Sequence, residues 1–315
     1  MQQVAMDRLR GIAVGAAVGD ALGMPLEFGP ASPVDNLVRD MTGGRLTAGS
    51  FTDDTEMALA LAESLLVADP LDPADLAQRF AAWFQAGPPD VGIHTSRVLS
   101  RISNGIPWEQ ASKEVHASSP ASASNGSVMR CWPVAIRDWK NREQLLRESR
   151  LQSEVTHRHP DCLSACQLIN VLISELVLAG DEKTAQERLS SAYEAALEQA
   201  NLSKEFLAVL QSAPGKQRDQ LANSGWVLHT LESTIWALFN FEGFEETLVQ
   251  VANLGGDADT TAAVTGAAAG ALYGFTGIPA RWIEVLHGEY PLNSDRIWRV
   301  DNLIELANRL AGQER

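Results

Sequence analysis

The feature that most constrains this chain is a long uncharged segment, residues 260–280, in which three glycines stand four residues apart. Gly266, Gly270 and Gly274 would lie on one face of a helix, because residues four apart are neighbours on a helix surface. A helix face without side chains allows another helix to approach very closely. We therefore predict a central, buried helix that begins beside an acidic cluster.

Helical patterns recur from one end of the chain to the other, and no run alternates apolar and polar residues between turn signals as a half-buried strand does. The clearest helix lies in DPADLAQRFAAWFQAG, where Asp72 is the predicted N-cap, Pro73 the first helical residue and Gly87 the residue after the C-cap. Further helices are predicted after Pro107, Asp161 and Asp181 and over 226–241, 279–287 and 293–310. We expect an all-α fold of roughly a dozen helices.

Composition and charge exclude several classes of protein. The 315 residues carry 40 acidic and 25 basic side chains, a formal net charge of −15, so a broad electrostatic grip on nucleic acid or anionic lipid is not expected. An apolar fraction of 45% is ordinary for a globular chain. Because no composition shift or convincing linker divides the sequence, we expect one compact domain over residues 1–315.

The cysteines and the hydrophobic segments predict a cytoplasmic protein. Three cysteines without a C-x-x-C pair favour buried thiols over disulfides. The N-terminal apolar run differs from a signal peptide, because Asp7 lies ahead of it and Asp20 closes it. The segment 260–280 is built from Ala, Gly and Thr and contains Pro279, so it is a poor membrane span. We expect a monomer with no membrane span.

Two acidic clusters stand directly before apolar-periodic helices. The first cluster is Thr52, Asp53 and Asp54, and the second is Asp257, Asp259 and Thr260. Carboxylates and hydroxyls without a thiolate or imidazole beside them suit Mg²⁺ or Mn²⁺ rather than zinc. Helix capping alone is the alternative for each cluster, but one acid suffices for a cap. Four carboxylates exceed what one magnesium ion takes from protein, so a two-metal site is predicted.

Five segments of the chain resemble the ADP-ribosylglycohydrolase family and occur in that family's order and spacing. They are GDALGMPLEF at 19–28, FTDDTEM at 51–57, NGSVMR at 125–130, THRHP at 156–160 and NLGGDADTTAAVTGAAAGALYG at 253–274. MTGG at 41–44 and PPDVG at 88–92 are most similar to the branch that releases ADP-ribose from an arginine of nitrogenase iron protein. The resemblance implies an all-α fold with a binuclear Mg²⁺ or Mn²⁺ centre.

The resemblance also implies roles for individual residues. The implied metal ligands are Thr52, Asp53 and Asp54 for one ion, Asp257 and Thr260 for the other, and Asp259 as the bridge. The implied catalytic residues are Glu27, Asp54, Asp90 and Asp259. The implied substrate-binding residues are Asn125, Gly126, Ser127, Val128 and Met129 around the diphosphate and His157 against ADP-ribose.

The NGSVMR segment has a physical reason to bind an anion in so acidic a protein. We predict that Asn125, Gly126 and Ser127 open a helix, whose unpaired N–H groups can hold phosphate without a basic side chain. His157 and Asp90 have ordinary structural alternatives, a core histidine and a surface acid. Only the family resemblance gives these two residues a functional role.

The predicted reaction is metal-dependent hydrolysis of the N-glycosidic bond between ribose C1″ and an arginine. Two cations would hold the ribose hydroxyls and activate water, Asp90 would face the guanidinium, and Glu27 or a metal-ligating aspartate would take the proton. The expected partner is an ADP-ribosylated protein, with nitrogenase iron protein as one candidate. A hydrolase of serine-linked or O-acyl ADP-ribose and a non-catalytic ADP-ribose binder stay open as alternatives. A prenyl-transfer enzyme is disfavoured, because these acids precede their helices.

Overall fold

The computed structural model describes residues 2–312, which fold as fifteen α-helices and one short β-hairpin. The helices are Gln2–Gly23 (α1), Asp53–Val67 (α2), Pro73–Gln85 (α3), Ile93–Ser103 (α4), Trp108–Ser118 (α5), Trp132–Arg137 (α6), Arg142–Glu154 (α7), Pro160–Leu178 (α8), Ala185–Gln199 (α9), Lys204–Ser212 (α10), Val227–Asn240 (α11), Phe244–Ala252 (α12), Ala258–Tyr273 (α13), Ala280–Val285 (α14) and Val300–Leu310 (α15). The strands are Gly288–Glu289 (β1) and Ile297–Trp298 (β2), which pair antiparallel. The predicted all-α class is confirmed.

Helices α1 and α13 pack with backbone against backbone at the centre of the fold. A Cβ atom added at Gly19 would lie 2.0 Å from the carbonyl oxygen of Ala262, and one at Gly15 would lie 2.3 Å from that of Gly266. Nearly every residue of α13 is buried, as is most of α1. The predicted close approach to a glycine-faced helix is therefore confirmed, and its partner is the N-terminal helix.

Gly274 differs from its predicted place on the face of α13. The helix ends at Tyr273, and Gly274 follows as a left-handed residue with φ 77°. Its N–H donates to the carbonyl oxygen of Gly270, which satisfies one of the last carbonyl groups of the helix. A Cβ atom at Gly274 would lie 1.9 Å from Oδ2 of Asp7, a side chain that can move aside, so the positive φ rather than packing favours glycine here.

The capping signals predicted some helix starts and missed others. Asp72 accepts a hydrogen bond from the N–H of Ala74 at the start of α3, as predicted, and Gly87 beyond its end has φ 74°. The predicted caps Asp161 and Asp181 are wrong. Helix α8 is capped by His159 ahead of Pro160, and α9 by Thr184, whose capping box replaces the predicted cap Asp181.

The predicted helix over 293–310 is wrong in its first half. Residues 297–298 form β2 instead, with Trp298 opposite Gly288 in the hairpin. The indole N–H of Trp298 donates to the carbonyl oxygen of Tyr290, directly after β1, at 2.7 Å, which ties the two arms of the hairpin together. Two strands of two residues are too short to leave an alternating pattern in the sequence.

Two segments, Gln2–Leu26 and Pro160–Leu178, are long and apolar enough to cross a membrane by length and composition alone. Their most apolar windows are 83% and 78% buried inside the fold. Such burial is what the core helices of a folded domain show. The segment 260–280 considered in the sequence contributes the 16-residue helix α13, which is shorter than a typical span.

We expect Gly19→Ala to destabilise the protein, because the added methyl group meets the backbone of Ala262, which has no rotamer to change. Alanine is favoured over glycine by about 1 kcal/mol inside a helix, so a loss of stability isolates the clash. The expected loss is at least about 1–3 kcal/mol, measured by urea unfolding. Gly215→Ala, which meets nothing within 4 Å, is the control. Equal stability of Gly19→Ala and wild type would contradict this packing.

Candidate active site

A cleft of about 720 Å³ is lined by the starts of α2 and α13 and by the segment that follows α1. The predicted site residues that line it are Glu27, Asp53, Asp90, Asn125, Gly126, Met129, Asp257, Asp259 and Thr260. The predicted site residues that are buried beside it are Thr52, Asp54, Ser127, Val128 and His157. The fold thus brings residues from five separate segments of the chain to one cleft.

The contact between α1 and α13 places the first acidic residues together. A Cβ atom at Gly23, the last residue of α1, would lie 2.5 Å from the backbone Cα of Asp259. Glu27 follows four residues later, after a single 3₁₀ turn. Carboxylate oxygens of Glu27, Asp257 and Asp259 therefore lie within 4.8 Å of one another, an arrangement that can hold a metal ion.

The backbone conformation of the loop before Asp257 requires its two consecutive glycines. Gly255 and Gly256 have φ 67° and 63°, a left-handed conformation that side chains disfavour. The N–H of Gly256 donates to the carbonyl oxygen of Gly29, and the N–H of Phe28 donates to that of Gly256. These bonds hold the loop after Glu27 against the loop before Asp257.

Asp20 is a structural member of the site that the sequence interpretation missed. It is fully buried on α1, and its carboxylate accepts hydrogen bonds from the N–H groups and hydroxyls of both Thr52 and Thr55. Asp20 thereby holds the start of α2 against α1 and directs the Thr52 hydroxyl proton away from the cleft. An acid inside an otherwise uncharged helical stretch was the available signal.

The acidic cluster carries more negative charge than its surroundings neutralise. Burial raises the pKa of Asp53, Asp54 and Asp259 well above the ordinary value, and neighbouring carboxylates raise each of them further. Oδ1 of Asp54 is buried without a hydrogen-bond partner in the described part of the chain. A hard divalent cation would supply both the missing partner and the missing positive charge, so the donor set fits such a cation.

Arg45 is a second residue that the sequence did not reveal. Its guanidinium donates to Glu27 Oε2 at 2.8 Å, forms an ion pair with Asp90, and lies 3.9 Å from Asp259 Oδ2. Burial still raises the pKa of Glu27 to about 7, against the lowering effects of the hydrogen bond with Asp259 and the charge of Arg45. The mouth of the cleft therefore accommodates a guanidinium between two carboxylates.

The predicted helix at Asn125, Gly126 and Ser127 is wrong. Residues 125–130 form a turn, in which the N–H groups of Val128 and Met129 donate to the carbonyl oxygen of Asn125. Helix α6 begins only at Trp132, after this turn. Turns of successive N–H groups can also bind anions, but no helix dipole points at the cleft from this segment.

Several of the implied substrate-binding side chains face the interior. The Ser127 hydroxyl is fully buried and accepts a hydrogen bond from Ser153 Oγ. Val128 is buried in the core. His157 is 1% exposed and lies behind Ser124, so its imidazole does not reach the cleft in this structure. Asn125 does reach it, and its amide donates to Asp257 Oδ2 at 2.7 Å.

The fold and the cleft together define an all-α protein with a carboxylate-lined site suited to divalent cations. Over its whole length, residues 1–315, the chain matches the family model described as ADP-ribosylglycohydrolase, and it belongs to the ADP-ribosylglycohydrolase family.

Relatives of known name and structure agree with this assignment. The chain is 36% identical to ADP-ribosylarginine hydrolase Tri1 of Pseudomonas putida (strain GB-1), over 89% of this chain and 74% of that one. It is 33% identical to ADP-ribosyl-[dinitrogen reductase] glycohydrolase of Rhodospirillum rubrum, over 96% and 97%. A solved structure described as an ADP-ribosylglycohydrolase-related protein complex superposes with a TM-score of 0.79 at 31% identity, covering 99% of this chain and 100% of that one.

Buried carboxyl groups predict how the stability of the metal-free protein depends on pH. Burial raises the pKa of Glu27 and of Glu56, which accepts a hydrogen bond from Trp83, from the ordinary 4.5 to about 7. Between pH 4.5 and 7 the folded protein therefore holds protons on Glu27 and Glu56 that the unfolded chain has released, so the stability that these two groups contribute is full below pH 4.5 and is lost as pH rises through 7. We expect the melting temperature of chelator-treated protein to fall over this interval.

Divalent cations should oppose that loss, because they bind the ionised carboxylates of the folded state. Added Mn²⁺ is expected to raise the melting temperature most at the upper end of the interval. Glu56→Gln should flatten the pH dependence and retain the Mn²⁺ response, whereas Asp54→Asn should weaken the Mn²⁺ response. A Glu56→Gln variant with the same pH dependence as the wild type would contradict the buried-carboxyl interpretation.

Proposed function

We propose that this protein is a divalent-metal-dependent hydrolase that releases ADP-ribose from ADP-ribosylated arginine on a protein. The observation that carries the proposal is the guanidinium of Arg45, which lies between Glu27 and Asp90 and close to Asp259. It supports a leaving-group site for a guanidinium at the mouth of the cleft. A target arginine would take the position of Arg45, since both groups need the same carboxylates.

The cation-binding part of the proposal rests on the two acidic clusters. Asp53, Asp54, Asp257 and Asp259, with the hydroxyls of Thr52 and Thr260, would hold two Mg²⁺ or Mn²⁺ ions. Such ions, when bound, would polarise the ribose hydroxyls and acidify water for attack at C1″. The unpartnered oxygen of Asp54 and the raised pKa values of the cluster support this ligand set.

The remaining roles belong to side chains at the rim. Asp90 would orient the guanidinium of the target and favour its protonated form, because a carboxylate stabilises a neighbouring positive charge. Glu27 would exchange a proton with the attacking water, and its pKa of about 7 supports this role. The backbone of the turn over 125–130 would hold the diphosphate. An ADP-ribosylated protein such as nitrogenase iron protein is the proposed partner.

We expect Asp259→Asn to abolish metal-dependent hydrolysis in a folded protein. The amide keeps an oxygen that can accept from the N–H of Thr260. It lacks the negative charge that a carboxylate shared by two metal ions would supply. Mutation of a group that only hydrogen-bonds to a metal ligand lowers metal affinity or activity about 10- to 100-fold. Loss of a ligand itself should therefore lower the hydrolysis rate at least roughly 100-fold. The measurement is ADP-ribose release from ADP-ribosylarginine with Mn²⁺, beside calorimetric Mn²⁺ binding. Normal turnover with normal Mn²⁺ affinity would overturn the assignment.

The matched control for that variant is Asp301→Asn. Asp301 is exposed in the first turn of α15, remote from the cleft-lining segments of the chain. The same loss of one negative charge at this position is expected to leave hydrolysis and Mn²⁺ affinity unchanged. A similar fall in both variants would point to net charge rather than to the ligand role of Asp259.

Linkage specificity tests the arginine assignment directly. Asp90→Asn removes a charge that complements a guanidinium and nothing on a serine linkage. We expect kcat/KM for arginine-linked ADP-ribosyl peptide to fall about 10- to 100-fold, the worth of one charged hydrogen bond, with free ADP-ribose affinity unchanged. The measurement compares arginine-linked and serine-linked peptides. Faster release from serine by wild type, or equal arginine-linked rates for both proteins, would refute the assignment.

A further inference from the structure

A chain of three hydrogen bonds leads from the buried side chain of Arg130 to the wall of the cleft. Arg130 Nη2 donates to Thr156 Oγ1 at 2.7 Å, and Thr156 Oγ1 lies 2.8 Å from His157 Nδ1. His157 Nε2 lies 2.9 Å from the Ser124 hydroxyl. The first three residues are at most 1% exposed, whereas Ser124 lines the cleft directly before Asn125.

The direction of these bonds follows from the donors and acceptors present. A guanidinium has only donors, so Thr156 Oγ1 accepts from Arg130. The buried hydroxyl proton of Thr156 then has His157 Nδ1 as its acceptor. His157 therefore carries its own proton on Nε2 and donates it to Ser124 Oγ. Burial, with the nearby His94 and Arg130, lowers the pKa of His157 well below its ordinary value, so the ring is neutral.

Arg130, at the buried end of this series of hydrogen bonds, carries a positive charge that no carboxylate among the described residues neutralises. Arg130 is bonded to Gln152, Thr156 and Met57 Sδ, and its guanidinium stacks 4.2 Å from the ring centroid of Phe80. Burial lowers its pKa to about 9, so the group stays charged at neutral pH. This charge polarises the chain of hydrogen bonds toward the cleft.

Ser124 is the terminus of this chain and faces the cleft. Its oxygen accepts from His157 and has no second partner among the described residues, so its hydroxyl proton is available to a ligand. Its carbonyl oxygen accepts a contact from Cys162 Sγ at 3.2 Å, and its backbone pairs with Trp226, which hold the residue in place. A fixed hydroxyl donor beside the turn over 125–130 suits an anion.

We propose that the Ser124 hydroxyl donates a hydrogen bond to a phosphate oxygen of the ligand, and that Arg130, Thr156 and His157 act as positioning residues that fix its direction. This inference rests on the proposed function, which places the diphosphate at the neighbouring turn. It gives His157 an indirect role in place of the direct contact that the family resemblance implied.

Ser122 provides a matched control on the same wall of the cleft. His94 donates its Nε2 proton to the Thr156 carbonyl oxygen at 3.1 Å, so His94 Nδ1 is an acceptor. The Ser122 hydroxyl, 3.3 Å from this nitrogen, directs its proton to His94 rather than into the cleft. Ser122 and Ser124 therefore line the same cleft, but only the Ser124 hydroxyl proton is available to a ligand there.

The test measures calorimetric binding of ADP and of ADP-ribose to wild type, Ser124→Ala and Ser122→Ala. Loss of a hydrogen bond to a charged phosphate should weaken both ligands by about 10- to 100-fold in Ser124→Ala, with little change in Ser122→Ala. A loss confined to ADP-ribose would place the hydroxyl at the distal ribose and overturn the proposal. Unchanged affinity for both ligands would also overturn it.

The tautomer of His157 provides a readout that a merely structural role would not move. We expect ¹⁵N chemical shifts of the wild-type protein to show His157 protonated on Nε2, a state that Thr156→Ser retains. Protonation on Nδ1 in wild type would refute the direction of the chain. If wild type binds neither ADP nor ADP-ribose, the proposed function fails together with this inference, whereas binding that Ser124→Ala leaves unchanged refutes the inference alone.

Discussion

The contact between α1 and α13 is the constraint on which the site depends. Glycines on both helices allow the backbones to meet, and the same contact continues through Gly23 to the backbone of Asp259. It sets the distance between Glu27, at the end of one helix, and the acids that begin the other. Asp20 extends this arrangement to α2 by accepting four hydrogen-bond donors from Thr52 and Thr55. The packing of these helices therefore also sets the positions of the acidic residues in the cleft.

The cleft has a cluster of carboxylates at one end and the turn over 125–130, with the Ser124 hydroxyl beside it, at the other. Burial and mutual repulsion raise the pKa values of Asp53, Asp54 and Asp259, which favours cations there. The turn over 125–130 ends at the buried cation Arg130, which offsets the overall charge of −15 locally. Asn125 connects the two ends, because its backbone belongs to the turn and its amide bonds to Asp257. A ligand with a sugar and a diphosphate fits this separation of charge.

Much of this architecture could be predicted from the sequence, because its signals are local. Glycine at every fourth position predicts a close helix contact, and Asp72 before Pro73 predicts the start of α3. The sequence predicts that Asn125, Gly126 and Ser127 open a helix where the chain forms a turn, because Asn and Ser favour turns and helix caps alike. Arg45 left no signal, since its partners are distant along the chain and a loop arginine is ordinary. The β-hairpin is held by a hydrogen bond from Trp298 to Tyr290 across its own loop, and its two-residue strands are too short to leave an alternating pattern in the sequence.

The glycine contact also limits which parts of the molecule can adapt to a substrate. Side chains at an ordinary helix interface change rotamer and let helices slide, but touching backbones have no such freedom. Sliding α1 along α13 by one turn would separate Glu27 from Asp259 and drive side chains into the opposing carbonyl groups. Any adjustment of the cleft to a ligand would therefore come from the segments that carry Arg45 and Asp90, which lie outside this contact. One wall of the cleft therefore holds Glu27, Asp257 and Asp259 in a fixed arrangement by backbone packing, whereas the opposite rim is built from loops and side chains.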